Sequence, residues 1–150
     1  MGANVTAYTI IDRLKKKQQI AFRRLMSGQA PSSKIREYVG LSFMEIKAWI
    51  NKRMLPGMTW NNYGSEWVID HVVPLRLFDL SKESDCKMVW NYRNLMPLFK
   101  EDNLHKEGDL RFSILLLQKM EPCFIVNSLI DIIEDELKKM DKYLGTDNNA

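Results

Sequence analysis

Trp67-Val68-Ile69-Asp70-His71-Val72-Val73-Pro74-Leu75 is the stretch on which the fold turns. Its aromatic and β-branched residues favour an extended strand, and Pro74, with no amide hydrogen to donate, stops it. Successive strand side chains face opposite ways, so Asp70 and His71 can do different work although they are neighbours. Upstream, Thr59-Trp60 and the turn Asn61-Asn62-Tyr63-Gly64 feed the strand. Downstream, residues 75–90 are irregular with a helical turn around 82–90, and Asn94-Leu95-Met96-Pro97-Leu98 predicts a second short strand running into a helix from about residue 100. The order is strand, long loop, strand, helix.

Phosphodiester hydrolysis needs a nucleophile made from water, a base to take its proton, and a positive centre for the charge that builds on phosphate and leaving oxygen. A free imidazole titrates near neutrality, and His71 is therefore the candidate general base. Asp70 is the candidate ligand for a hard cation, Mg²⁺ or Mn²⁺, with Asn103 at the start of the last predicted helix as second ligand. Asn94 is assigned to bonding backbone across the loop, holding the strand that carries His71. His105, two residues after Asn103, points elsewhere on a regular helix and is assigned a phosphate or water contact, with replacement of Asn103 as ligand as the alternative.

Three segments, Asp70-His71-Val72-Val73-Pro74, Asn94-Leu95-Met96-Pro97-Leu98 and Asp102-Asn103-Leu104-His105-Lys106, together resemble the HNH endonucleases, over about residues 60–106. The preceding Gly57-Met58-Thr59-Trp60-Asn61-Asn62-Tyr63-Gly64 looks like that of phage-type members. The resemblance implies a ββα-metal core and a DNA endonuclease leaving 5′-phosphate and 3′-hydroxyl ends. It also implies His71 as base, Asp70 and Asn103 at the metal and Asn94 as the structural asparagine. With Asn at the third position the chain looks like the HNN variant. The CxxC pairs that bind zinc in many relatives are absent, so no structural zinc is expected and Trp60, Trp67, Trp90, Leu95, Leu98 and Phe99 are the candidate packing residues.

The flanks are helical. Ile10, Ile11, Leu14, Ala21, Phe22 and Leu25 predict an amphipathic helix over about residues 6–26, with Arg13, Lys15, Lys16, Lys17, Arg23 and Arg24 on its polar side. Ser32 or Ser33 caps a short helix ended by Gly40, and Ser42 with Glu45 forms a capping box for a helix running towards Pro56. These two helices are read as a buttress in preference to a helix-turn-helix. Two further apolar stripes, interrupted at Pro122, carry the chain to residue 144, with Asp131, Glu134, Asp135 and Glu136 as a solvated face.

The expectation is an α+β fold in one domain: a basic helical region at 1–56, the core at 57–111, C-terminal helices at 112–144 and a tail at 145–150. The net charge is only +3, yet residues 1–60 carry eleven Lys and Arg against three acids. That front, with Arg13, Lys16, Lys17, Arg23, Arg24, Arg93 and Lys106 as phosphate contacts, fits double-stranded DNA as partner. Two cysteines in no paired motif speak against a disulfide framework. No apolar run approaches the roughly 20 residues of a membrane span, so an intracellular, cytoplasmic location is expected, with a phage or viral gene as a compatible source. Oligomeric state is left open. The alternative function is a catalytically inactive DNA-binding or scaffold protein on the same fold.

Overall fold

The computed structural model describes residues 16–17, 19–24, 26–27, 33–102 and 110–146. It is an α+β arrangement in which one two-stranded antiparallel sheet lies among helices. Strand β1 (Trp67–His71) pairs with β2 (Leu95–Phe99), placing Trp67 opposite Phe99, Ile69 opposite Pro97, Asp70 opposite Met96 and His71 opposite Leu95. Pro97 has no N–H, so it can occupy a strand only where its nitrogen faces away from the partner, and the outer edge of β2 provides that. The outer edge of β1 is covered. Gly64 N donates to Trp67 O (2.8 Å) and Gln19 Nε2 to Ile69 O (3.0 Å), which blunts an edge that would otherwise template pairing.

The described residues 16–17, 19–24 and 26 are helical and are called α1. Residues 6–15 of the predicted helix lie outside the described residues. Next come α2 (Ser33–Val39) and α3 (Phe43–Asn51), separated at Gly40, whose φ of +78° suits a residue without a Cβ. The expected capping box opens α3: Ser42 N donates to Glu45 Oε2 (2.8 Å) and Glu45 N to Ser42 Oγ (3.3 Å). α3 ends at Asn51, several residues before Pro56, and buttresses β2 through a Trp49 Nε1 bond to Leu95 O of 3.2 Å.

A 3-10 turn at Trp60–Asn62 leads into β1. Asn62 Oδ1 accepts from both Thr59 N and Trp67 Nε1 at 2.8 Å, tying the turn to the first residue of the strand. Trp60, Tyr63 and Trp67 stack mutually, with centroids 4.9 to 5.8 Å apart, within the range of favourable edge contacts. Between the strands lies α4 (Glu83–Trp90), and residues 100–102, directly after β2, are helical (α5). α6 (Leu110–Gln118) and α7 (Phe124–Thr146) are the last elements among the described residues. They begin and end two residues outside the predicted limits of 112 and 144.

Two buried clusters hold these parts. Phe22, Val39, Ile46, Ile50, Trp67, Ile69 and Leu95 gather the N-terminal helices onto one face of the sheet. Val72, Val73, Val89, Leu110, Leu117, Leu129 and Ile133 gather the C-terminal helices around the segment after β1. Trp90 packs against both. Of the expected packing residues, Trp67, Leu95 and Leu98 are buried, while Trp60, Trp90 and Phe99 are half-buried. The acidic side of α7 is largely exposed, but Glu136 is half-buried and lies 3.8 Å from Arg76.

Candidate functional site

Val72 and Val73, expected to prolong the strand, are bends; β1 ends at His71. The cause is Asn94. Its backbone oxygen accepts from Val72 N and its side-chain Oδ1 from Val73 N, both at 2.8 Å, while Nδ2 donates to Val89 O at 3.2 Å. One fully buried carboxamide therefore clasps the end of β1, the end of α4 and the start of β2. A buried amide left unpaired costs about 1–3 kcal/mol, so each of these bonds favours the bend over continued extension. Ser113 Oγ donates to Val72 O (2.7 Å) from α6, fixing the same residue from the other side.

Asp70 and His71 sit on this clasped end. Asp70 is half-buried and shares a face of the hairpin with Met96. Its Oδ1 accepts from the backbone N of His71 at 2.8 Å, which orients the carboxylate along the strand. His71 takes the opposite face and is 2% exposed. Its ring lies 5.7 Å from those of both Phe22 and Trp90, and these two rings are 5.3 Å apart. The imidazole is thus one side of an aromatic triangle supplied by α1, α4 and β1.

Phe22 and Trp90 are contacts of His71 that the sequence reading did not assign. Phe22 stood out only as an apolar position of an amphipathic helix, and the helix pattern carries no information about which strand residue it meets. Gln19, on the same helix, also escaped notice, because a polar residue on a basic face gives no sign that it will cap a strand carbonyl.

Asn103, His105, Lys106 and Arg13 lie outside the described residues. Asn94 stands at the base of the hairpin beside His71, whereas the basic residues are spread out. Lys16, Lys17, Arg23 and Arg24 are exposed on α1. The Arg23 guanidinium lies over the 63–64 turn, where a Cβ added at Gly64 would be 3.6 Å from its Nη2. Arg93 is half-buried, with its guanidinium 4.4 Å from the centroid of the Tyr92 ring. Among the described residues no three His, Cys, Asp or Glu side chains converge as a metal-binding group. Among them, too, no helix is long and apolar enough to cross a membrane.

The chain matches no family model and no solved structure. It is similar to two uncharacterized proteins of Acanthamoeba polyphaga mimivirus. One is 34% identical over 86 residues, 57% of this chain and 38% of the relative; the other is 30% identical over 74 residues, 49% and 33% respectively. The chain spans about a third of the length of these curated relatives.

Proposed function

We propose that the chain is a metal-dependent DNA endonuclease built on the ββα-metal core of the HNH family, in its HNN variant, yielding 5′-phosphate and 3′-hydroxyl ends. The observation that carries this reading is the clasp: a buried asparagine at the start of β2 ties down the end of an Asp-His strand, and a helix begins directly after β2. His71 is the general base, Asp70 a metal ligand, Asn94 the positioning residue, and Asn103 the second ligand.

Mg²⁺ commonly binds through one or two carboxylates, keeping several waters and the substrate phosphate as its other ligands. A single carboxylate at the strand end fits that modest demand; a cation needing four protein ligands would not be served. When bound, the ion neutralises charge on the phosphate and the departing 3′ oxygen. The chain's own residues do the remainder. Asn94 prevents the end of β1 from slipping, His71 takes the proton from water, and the exposed cations of α1 hold the polyanion.

One observation favours the second reading, a DNA-binding protein without turnover. His71 is sealed under Phe22 and Trp90, and a base must meet water and phosphate. The hydrolytic reading therefore requires the Phe22 and Trp90 rings to part from the imidazole before water reaches it. Incubation of supercoiled plasmid with Mg²⁺ or Mn²⁺ separates the two: nicked or linear product that depends on His71 supports hydrolysis, and intact plasmid at protein excess supports binding alone.

A further inference from the structure

Beside the β2 edge lies a cavity of about 880 Å³, within the range of about 300–1,000 Å³ usual for small-ligand sites. One wall is a ladder of stacked groups. The Arg53 guanidinium lies 3.0 Å from the Trp49 ring centroid, Trp49 meets Tyr92 edge-on at 4.8 Å, and the Arg93 guanidinium lies 4.4 Å from the centroid of Tyr92. Arg53 is held there by donating from Nη1 to Trp49 O (3.0 Å), and partial burial pulls its pKa below the usual arginine value. Neither guanidinium takes part in an ion pair among the described residues. From α6 and the segment after it come the half-buried apolar side chains Leu116 and Met120, and the exposed Lys119, Glu121 and Asp102 also line the cavity.

Among the described lining residues Arg53, Arg93 and Lys119 outnumber the carboxylates Asp102 and Glu121, and neither arginine is ion-paired with them; that balance favours an anion, and arginine meets phosphate with a planar fork of donors. An apolar chamber beside stacked rings calls for a flat, weakly polar group. A nucleotide joins the two: its phosphate suits the guanidinium ladder and its base has a π-face that any aromatic or apolar wall accepts.

We propose that this cavity takes one unpaired nucleotide of a DNA strand, its phosphate against Arg53 and Arg93 and its base against Leu116 and Met120. This goes beyond the hydrolytic reading, since it requires neither His71 nor a metal. It gives the protein a means of gripping single-stranded or locally opened DNA.

The test is fluorescence anisotropy in EDTA with a labelled ten-residue oligothymidylate and a fully abasic strand of equal length. Wild type is expected to bind the oligothymidylate about tenfold more tightly, the effect of stacking one base. Leu116→Ser with Met120→Ser, which takes away the apolar wall, removes that preference while leaving abasic binding unchanged, and Arg93→Gln weakens both ligands several-fold. His71→Ala retains the preference, so a failure of hydrolysis and a failure of this site are separately visible. Thermal melting confirms folding, and Arg93→Gln stands in where Arg53→Gln unfolds. Equal wild-type affinity for the two strands, or a preference surviving the paired Leu116→Ser and Met120→Ser substitution, overturns the proposal. Displacement of the oligothymidylate by dodecyl phosphate but not by thymidine monophosphate also overturns it, in favour of a lipid-like anion.

Discussion

The Phe22 ring lies 5.7 Å from the His71 ring, at an interplanar angle of 49°, and leaves the imidazole 2% exposed. A residue on the first described helix thus covers the candidate base. Phe22→Ala is expected to raise the initial rate of plasmid nicking severalfold, while costing about 3 kcal/mol of stability for a large-to-small change in the core. Rates measured well below the melting midpoint, beside a denaturant titration, check both parts. A Phe22→Ala protein that is folded and slower than wild type contradicts the requirement that this ring part from the imidazole.

Asn94 offers a sharper structural test. Asn94→Ala strands the buried Val73 amide and the Val89 carbonyl, and is expected to lower stability by about 2–4 kcal/mol. Asn94→Asp keeps the acceptor for Val73 but loses the donor to Val89, and a buried carboxylate adds its own desolvation cost. In a folded Asn94 variant, cleavage is expected to drop about 10- to 100-fold, as when a group supporting a metal site is removed. Urea midpoints give the first quantity and nicking rates the second.

Tyr63 carries a buried hydroxyl with no partner among the described residues, and burial pushes its pKa up to about 12, with Arg23 pulling it slightly back. A raised pKa favours the protonated native state. This contribution to stability is whole below about pH 10 and is lost as pH rises through 12. Absorbance titration at about 295 nm is expected to show one late tyrosine, absent in Tyr63→Phe. That variant is expected to match or exceed wild-type stability by up to about 1 kcal/mol, because it removes an unpaired polar group.

At the opposite end of the scale, Glu45 is held below its usual pKa first by the backbone amide of Ser42 and then by its hydroxyl. A depressed pKa means stability present above the usual value of 4.5 and lost as pH falls through the lower folded value. Glu45→Gln is expected to flatten the acid side of the melting-temperature profile in that window. Ser42→Ala is expected to cost about 1 kcal/mol at neutral pH as a lost N-cap.

Local chemistry was the legible part of the fold. The Ser42 and Glu45 box, the turn at Gly40, and the two strands around Asp70-His71 and Leu95-Leu98 each depend on residues close in sequence, where propensity and capping act. Val72 and Val73 show the limit: their β-branched pattern favours extension, and the Asn94 clasp, 21 residues away, overrides it. The packing of Phe22 on His71 is longer-ranged still, spanning 49 positions, and periodicity can show that a helix has an apolar face without naming what it covers. In the same way the spacing of Trp49 and Arg53 shows one helical turn between them, but not that Tyr92 and Arg93 extend their stack. Among the proposed site residues, Asp70, His71 and Asn94 come together at one end of the hairpin because the strand register places them there.

The central claim is that His71 activates water for cleavage of DNA. It is tested most directly by the time course of supercoiled plasmid nicking in Mg²⁺ or Mn²⁺, comparing wild type with His71→Ala at equal folded concentration verified by circular dichroism. Wild type is expected to convert plasmid to nicked or linear product, with no product in EDTA and a rate at least about 100-fold lower for His71→Ala. Equal rates for the two proteins, or intact plasmid with wild type and its Phe22→Ala variant at high excess, would contradict it.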